Sequence, residues 1–134
     1  MIEFGQPIYI LSKGHEVKFS EHLKHSEIMC KCLNKDCTTT TIYVPTLKSF
    51  ELLRNFLNMP LVINSGYRCQ KHNAKVGGLD NSFHKLGAAL DIQVPDGMSI
   101  GEFTVYCNRY FDITIPYASD NFVHCHNLID LKEL

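Results

Sequence analysis

The chain has 134 residues, of which 45% are hydrophobic and 20% charged, and this suffices for the buried core of one globular domain. Its formal net charge of −1 and the lack of a basic stripe exclude the electrostatic footprint of a nucleic-acid-binding protein. No apolar run approaches the roughly 20 residues that span a bilayer, and no signal peptide is recognisable, so we expect one monomeric, cytoplasmically made domain over residues 1–134 without membrane insertion.

The first half of the chain predicts a strand, a helix, a second strand and a short helix. The first forty residues are polar and irregular, and they lead into TTTTIYV, whose β-branched residues favour a strand. After Pro45, apolar residues recur at helical spacing and Thr46 is the predicted N-cap; the apolar residues are Leu47, Phe50, Leu53 and Leu57. PLVIN then predicts a short buried strand, and QKHNAKVGG a short helix closed by glycine.

The second half predicts three more strands and one helix. GAALDIQV alternates and therefore predicts a strand with two faces: Leu90, Ile92 and Val94 on one, Ala89, Asp91 and Gln93 on the other. Ser99 and Glu102 form a capping box, which predicts a helix from Ile100 to about Tyr110. DITI and NFVHCH follow as strands. We therefore expect an α+β domain with a small, mostly antiparallel sheet flanked by helices.

Six cysteines in a chain of this kind are more often thiols or metal ligands than disulfides. Cys30, Cys32 and Cys37 cluster in CKCLNKDC, with His25 just upstream. Because the spacing C-x-C-x4-C is not a common zinc-finger pattern, we expect reduced thiols in a surface loop. A structural zinc site and a disulfide are the alternatives. Reduced thiols would be dispensable for catalysis.

Two histidines near the end of the chain share a strand face. Residues two apart in a strand point the same way, so FVHCH separates into Phe122, His124 and His126 on one face and Val123 and Cys125 on the other. A lone buried histidine is usually a satisfied core residue. Two histidines on one face, together with an aspartate on the polar face of another strand, make a metal site on the sheet the alternative to core histidines.

The stretch SGYRCQKHNAKVGGLDNSFHKLGAALDI carries the most specific motif. It contains the pattern S-x-H-x-x-G-x-A-x-D, formed by Ser82, His84, Gly87, Ala89 and Asp91. With SGYR before this pattern and FVH after it, the chain resembles the zinc D-alanyl-D-alanine carboxypeptidase family, in the wider group of lysostaphin-type peptidases and the hedgehog domain. The similarity covers roughly Phe19 to Asn127. FSEHLKHSEIMC and LRNFLNMPLVINSGYR also resemble its small cell-wall members.

The resemblance implies a catalytic zinc ion. Its protein ligands would be His84, Asp91 and His124, with water at the open position. Arg68 would bind substrate charge, either a terminal carboxylate or a developing oxyanion. Because Arg68 lies in SGYR, which predicts a turn after the strand PLVIN, we expect its loss to leave the fold intact. Ser82 would assist with substrate or orient the loop of the first ligand.

The resemblance defines the general base less well. Family members usually carry an acidic residue three positions before the last ligand, where this chain has Asn121. Asp120 is the first candidate for the acid–base role and His126 the second. In an alternative alignment on an H-x-H motif, His126 is the third ligand and His124 the acid–base residue.

The implied function is that of a zinc metallopeptidase acting on bacterial peptidoglycan. It would hydrolyse a bond involving a D-amino acid, either as a carboxypeptidase or as an endolysin-like endopeptidase. The expected partner is a cell-wall peptide, which the enzyme would meet after release or with a phage. The alternative is a non-catalytic zinc-binding structural or interaction domain. Asn121, at the position where the family usually has an acidic general base, favours this alternative.

Overall fold

The computed structural model describes residues 5–14 and 16–129. Within them the strands are β1 (Ile8–Ser12), β2 (Lys18–Ser20), β3 (Leu23–Lys24), β4 (Thr39–Tyr43), β5 (Ile63–Ser65), β6 (Ala89–Gln93), β7 (Ile113–Tyr117) and β8 (Phe122–His126). The helices are α1 (His25–Ile28), α2 (Val44–Leu57), α3 (Gln70–Lys75) and α4 (Ile100–Cys107), with 3₁₀ helices at Phe83–Leu86 and Ala118–Asp120. In this part of the chain, no helix is both long and apolar enough to cross a membrane.

The main sheet has four antiparallel strands in the order β5-β6-β8-β7. Two smaller antiparallel pairs, β1 with β4 and β2 with β3, complete the strand pairing in the described residues. The predicted α+β class with a mostly antiparallel sheet is therefore confirmed.

One face of the main sheet packs against helices α2 and α4 and forms part of the hydrophobic core. Leu90 and Ile92 of β6 and Val123 and Cys125 of β8 are buried in one cluster with side chains of α2 and α4, among them Phe50, Leu53 and Phe103. Each such large side chain contributes about 1.5–3 kcal/mol when fully removed from water. The alternation predicted for GAALDIQV and FVHCH is thus correct, and it leaves the other face of both strands for polar side chains.

The register of β6 and β8 determines which polar side chains meet. Asp91 lies opposite His124, and Ala89 lies opposite His126. Directly opposed residues of an antiparallel pair have Cβ atoms about 4.5–5.5 Å apart. Asp91 and His124 are therefore brought together by strand pairing alone.

Two predicted details at helix ends differ from the structure. Helix α2 begins at Val44 after Tyr43, with Pro45 in its first turn, so Thr46 is not the N-cap. The Thr46 hydroxyl instead donates to the carbonyl of Ala88 at 2.9 Å and ties α2 to the start of β6. Helix α4 ends at Cys107 rather than near Tyr110, whereas its predicted cap is present: Ser99 Oγ accepts the Glu102 N–H at 3.1 Å.

The first forty residues contain more regular structure than their sequence indicates. Strand β1 pairs with β4 from Ile8 opposite Tyr43 to Ser12 opposite Thr39. The partners are separated by more than twenty-five positions along the chain, so neither strand carries a local turn signal of a hairpin. Pairing over such a distance is a tertiary effect, and propensity alone does not reveal it.

Candidate active site

Three side chains from three different elements converge on the polar face of the main sheet. His84 comes from the 3₁₀ helix Phe83–Leu86, Asp91 from β6 and His124 from β8. Each offers one ligand atom, and these atoms all lie within 4.8 Å of one another. These are the three residues predicted as metal ligands.

His84 is oriented by the side chain of Ser82 and by the backbone of Gly66, which directly follows β5. Ser82 caps the 3₁₀ helix, because its Oγ accepts the His84 N–H at 3.2 Å. The imidazole Nδ1 of His84 lies 2.7 Å from the carbonyl oxygen of Gly66. Since a carbonyl can only accept, Nδ1 donates to Gly66, and Nε2 is the nitrogen that faces Asp91 and would present its lone pair to a zinc ion. The orienting role expected for Ser82 therefore has a structural basis.

Gly87 ends this 3₁₀ helix in a left-handed conformation with φ of 71°. A Cβ at this position would collide with the backbone carbonyl of Thr41 in β4. Only glycine fits both the dihedral angle and the close approach. After this short turn the chain enters β6 at Ala89, and His84 and Asp91 lie on the same side of the sheet.

Asp91 is the centre of the arrangement. Its Oδ1 lies 3.1 Å from His84 Nε2 and 3.0 Å from His124 Nδ1. Burial alone would raise the pKa of this carboxyl, but the hydrogen bonds from His124 and His84 hold it well below its usual range. Asp91 is therefore a carboxylate at neutral pH. A buried carboxylate facing two imidazole nitrogens is a donor set that suits zinc.

His126 lies behind His124 rather than within the group of three. His126 Nδ1 is 2.8 Å from His124 Nε2, and the His126 ring stacks on Phe83 with centroids 4.0 Å apart. Burial and, to a smaller extent, the neighbouring His124 together lower the pKa of His126 to about 4, while Asp112 opposes the shift. Neutral His126 can thus accept a hydrogen bond from His124 through Nδ1. The geometry favours His124 over His126 as the third ligand.

Arg68 contacts the site through Asp91. Its guanidinium donates to Asp91 Oδ2 at 3.1 Å, to Ser65 Oγ at 3.0 Å and, with a longer bond of 3.4 Å, to Asn73 Oδ1. The Arg68 side chain is 15% exposed and that of Asp91 is 9% exposed. Arg68 is therefore a partly buried partner of a candidate ligand, and not a solvated turn residue. Within the described part of the chain, these bonds use three of the five guanidinium N–H groups.

Replacing Arg68 with alanine is consequently expected to destabilise the metal-free protein by about 1.5–3 kcal/mol, because a buried carboxylate loses a charged hydrogen-bond donor. The measurement is urea unfolding in the presence of a chelator. Lys71→Ala is the matched control, since the Lys71–Asp36 pair is 70% and 85% exposed and should contribute less than about 0.5 kcal/mol. Equal stability of Arg68→Ala and Lys71→Ala would show that the contact with Asp91 contributes nothing.

Asp120 lies apart from these contacts. It ends the exposed 3₁₀ helix Ala118–Asp120, and within residues 16–129 it forms no hydrogen bond or ion pair with the three clustered side chains. The next residue, Asn121, has φ of 54° and ψ of 44°, a left-handed conformation that asparagine and aspartate tolerate better than glutamate. The backbone turn therefore favours asparagine or aspartate over glutamate at this position. The acid–base role of Asp120 remains a prediction.

Two residues that hold Arg68 are not found by sequence reasoning. Asn73 is buried inside α3, where its Oδ1 accepts from Arg68 and its Nδ2 donates to the carbonyl of Leu79 at 2.8 Å. Asparagine has a low helix propensity, so its position inside a predicted helix was the sequence signal that could have identified Asn73. The sequence contains no comparable signal for Ser65 at the end of β5.

The comparisons with known proteins give one family. A family model described as Peptidase M15 matches residues 21–126 of the chain. The matched range includes all three clustered side chains and Arg68, and it ends at His126. The comparison with curated proteins finds no match.

Proposed function

The chain belongs to the Peptidase M15 family, and we propose that it is a zinc-dependent peptidase that hydrolyses bacterial cell-wall peptides at a bond involving a D-amino acid. The family makes the protein a peptidase, that is, a hydrolase with a peptide substrate, and it confirms the resemblance to the zinc D-alanyl-D-alanine carboxypeptidases. The proposal adds three features to this: the zinc ion, the cell-wall substrate and the D-amino acid at the cleaved bond. It also includes release of the enzyme from the cell or its delivery with a phage, because peptidoglycan lies outside the cytoplasm.

The convergence of His84, Asp91 and His124 supports the proposal most directly. Their donor atoms lie within 4.8 Å of one another, and each residue has an outer partner: the Gly66 carbonyl, Arg68 and His126 respectively. Catalytic zinc sites use three protein ligands of these types and a fourth, open position. Outer partners of this kind orient the ligands and fix their protonation.

Zinc bound by these residues would polarise the scissile carbonyl and acidify an attacking water. The remaining steps fall to the chain itself. Arg68 holds Asp91 and offers its remaining N–H groups to a substrate carboxylate or to the developing oxyanion. His126, if it accepts from His124 through Nδ1, has its other nitrogen protonated and cannot take a second proton there. We therefore retain Asp120 as the residue that takes the proton from water.

The test is a digest of defined muropeptides by the zinc-loaded full chain, analysed by mass spectrometry. We expect cleavage at a bond next to a D-residue, and the mass of the products separates a carboxypeptidase from an endopeptidase. The matched substrate control has the same peptide sequence with L-residues only, and it should remain intact. Absence of cleavage by protein with a filled His84–Asp91–His124 site would favour the non-catalytic zinc-binding domain instead.

A further inference from the structure

Four cysteine sulfurs converge at a second point, which shares no residue with the candidate active site. They belong to Cys30, Cys32, Cys37 and Cys69, and all lie within 4.8 Å of one another. The sulfurs of Cys32 and Cys69 are 3.8 Å apart. A disulfide needs about 2.0 Å, whereas four sulfurs placed tetrahedrally at about 2.3 Å around zinc are about 3.8 Å from each other. The spacing suits a shared metal ion.

We propose that these four cysteines form a structural zinc site. The proposal replaces the expectation of reduced thiols, which rested on three cysteines with an unusual spacing. The fourth, Cys69, follows Cys30 by 39 positions and reaches it only in the folded chain. His25 is not part of the group, because its Nε2 lies 2.7 Å from Thr40 Oγ1.

The surroundings of the sulfurs suit metal-bound thiolates. Zinc with four thiolates carries a net charge of −2, which must be offset in the protein. Lys13 places its ammonium 3.5 Å from the sulfur of Cys37 and 3.8 Å from that of Cys32. Backbone N–H groups add two more donors: Cys69 N–H to Cys30 Sγ and His72 N–H to Cys69 Sγ, both at 3.4 Å.

The position of the site suggests what the ion stabilises. Residues 29–38, which carry three of the cysteines, form neither helix nor strand. Cys69 caps the start of α3 and directly follows Arg68 in the chain. A zinc ion with four protein ligands has no open position, so it would act by tying this loop to α3 and fixing the segment that presents Arg68.

Cobalt substitution separates this site from the active site, because only one of them contains sulfur. In the full chain carrying His84→Ala, we expect one equivalent of Co²⁺ and a thiolate-to-cobalt charge-transfer band in the near ultraviolet. Adding Cys32→Ser and Cys37→Ser should abolish the band, whereas Cys107→Ala, which removes a core thiol outside the cluster, should keep it. No thiolate band in His84→Ala protein would overturn the proposal, whatever the outcome of the peptidase assay.

Serine variants that lose the metal can also lose the fold, so a second measurement uses the unmodified chain. Cys32, Cys37 and Cys69 are partly exposed and would react with iodoacetamide as free thiols. We expect zinc to slow their alkylation at least tenfold and a chelator to restore it, as read by peptide mapping. The buried thiols of Cys107 and Cys125 report global unfolding in the same sample. Equal alkylation with and without zinc, a mapped disulfide within the four, or iron in place of zinc would each refute a structural zinc site.

Discussion

Replacing His84 with alanine is expected to empty the candidate active site and abolish peptidase activity while the domain remains folded. The imidazole Nε2 is one of three donors that face each other across the sheet, and two ligands hold zinc far more weakly than three. Zinc affinity at this site should fall by several orders of magnitude, measured by competition with a chromogenic chelator. With the cysteine site filled, total zinc should fall from two equivalents to one.

The fold should survive, because His84 contributes two buried polar contacts, with the Gly66 carbonyl and with Asp91 Oδ1, and is not part of the hydrophobic core. Loss of such a bond costs about 1–3 kcal/mol, which urea unfolding in a chelator can measure. His72→Ala is the control. Among the described residues, the His72 side chain belongs to none of the groups that could hold a metal ion. The backbone N–H that donates to Cys69 Sγ is kept in this variant, so both zinc equivalents should remain. Undiminished zinc binding by His84→Ala would remove His84 from the ligand set.

The strand faces could be predicted from sequence because they depend on a period of two. Once GAALDIQV and FVHCH are strands with apolar residues on one face, Asp91 and His124 must share the other. Neither segment by itself indicates which strands pair or in what register they pair. The motif therefore had to supply the link between His84, Asp91 and His124, and the antiparallel pairing of β6 with β8 provides its physical basis.

The contacts missed from sequence are those made between distant segments. Arg68 looked like a turn residue, since nothing near it in the chain indicates that Asp91 lies 3.1 Å away. Cys69 likewise lies far from the other cysteines of the cluster in the sequence, and only the folded chain places its sulfur beside that of Cys32. In both cases the local signal was correct, because Arg68 does follow β5 and Cys69 does precede α3. The partner was set by packing, which a single sequence does not specify.

The two histidines of FVHCH are expected to respond differently to replacement by alanine. His124→Ala should lose zinc from the active site, because its Nδ1 lies 3.0 Å from Asp91 Oδ1 within the group of three. His126→Ala should retain the ion with roughly 10- to 100-fold weaker affinity, since it removes only the partner of His124 Nε2. Both affinities are measured by chelator competition, with the thiolate–cobalt band as an internal check that the cysteine site is unchanged.

Asp120→Asn completes the comparison by separating proton transfer from metal binding. The amide cannot take a proton, and Asp120 lies on an exposed turn outside the ligand group, so zinc affinity should stay at the unmodified level. The hydrolysis rate should fall by about 10²–10⁴, the usual contribution of a general base. An unchanged rate in Asp120→Asn, with a large loss in His126→Ala at full zinc occupancy, would transfer the acid–base role to His126. If His126→Ala empties the site and His124→Ala does not, the ligand is His126, and the sequence must be aligned two residues further along β8.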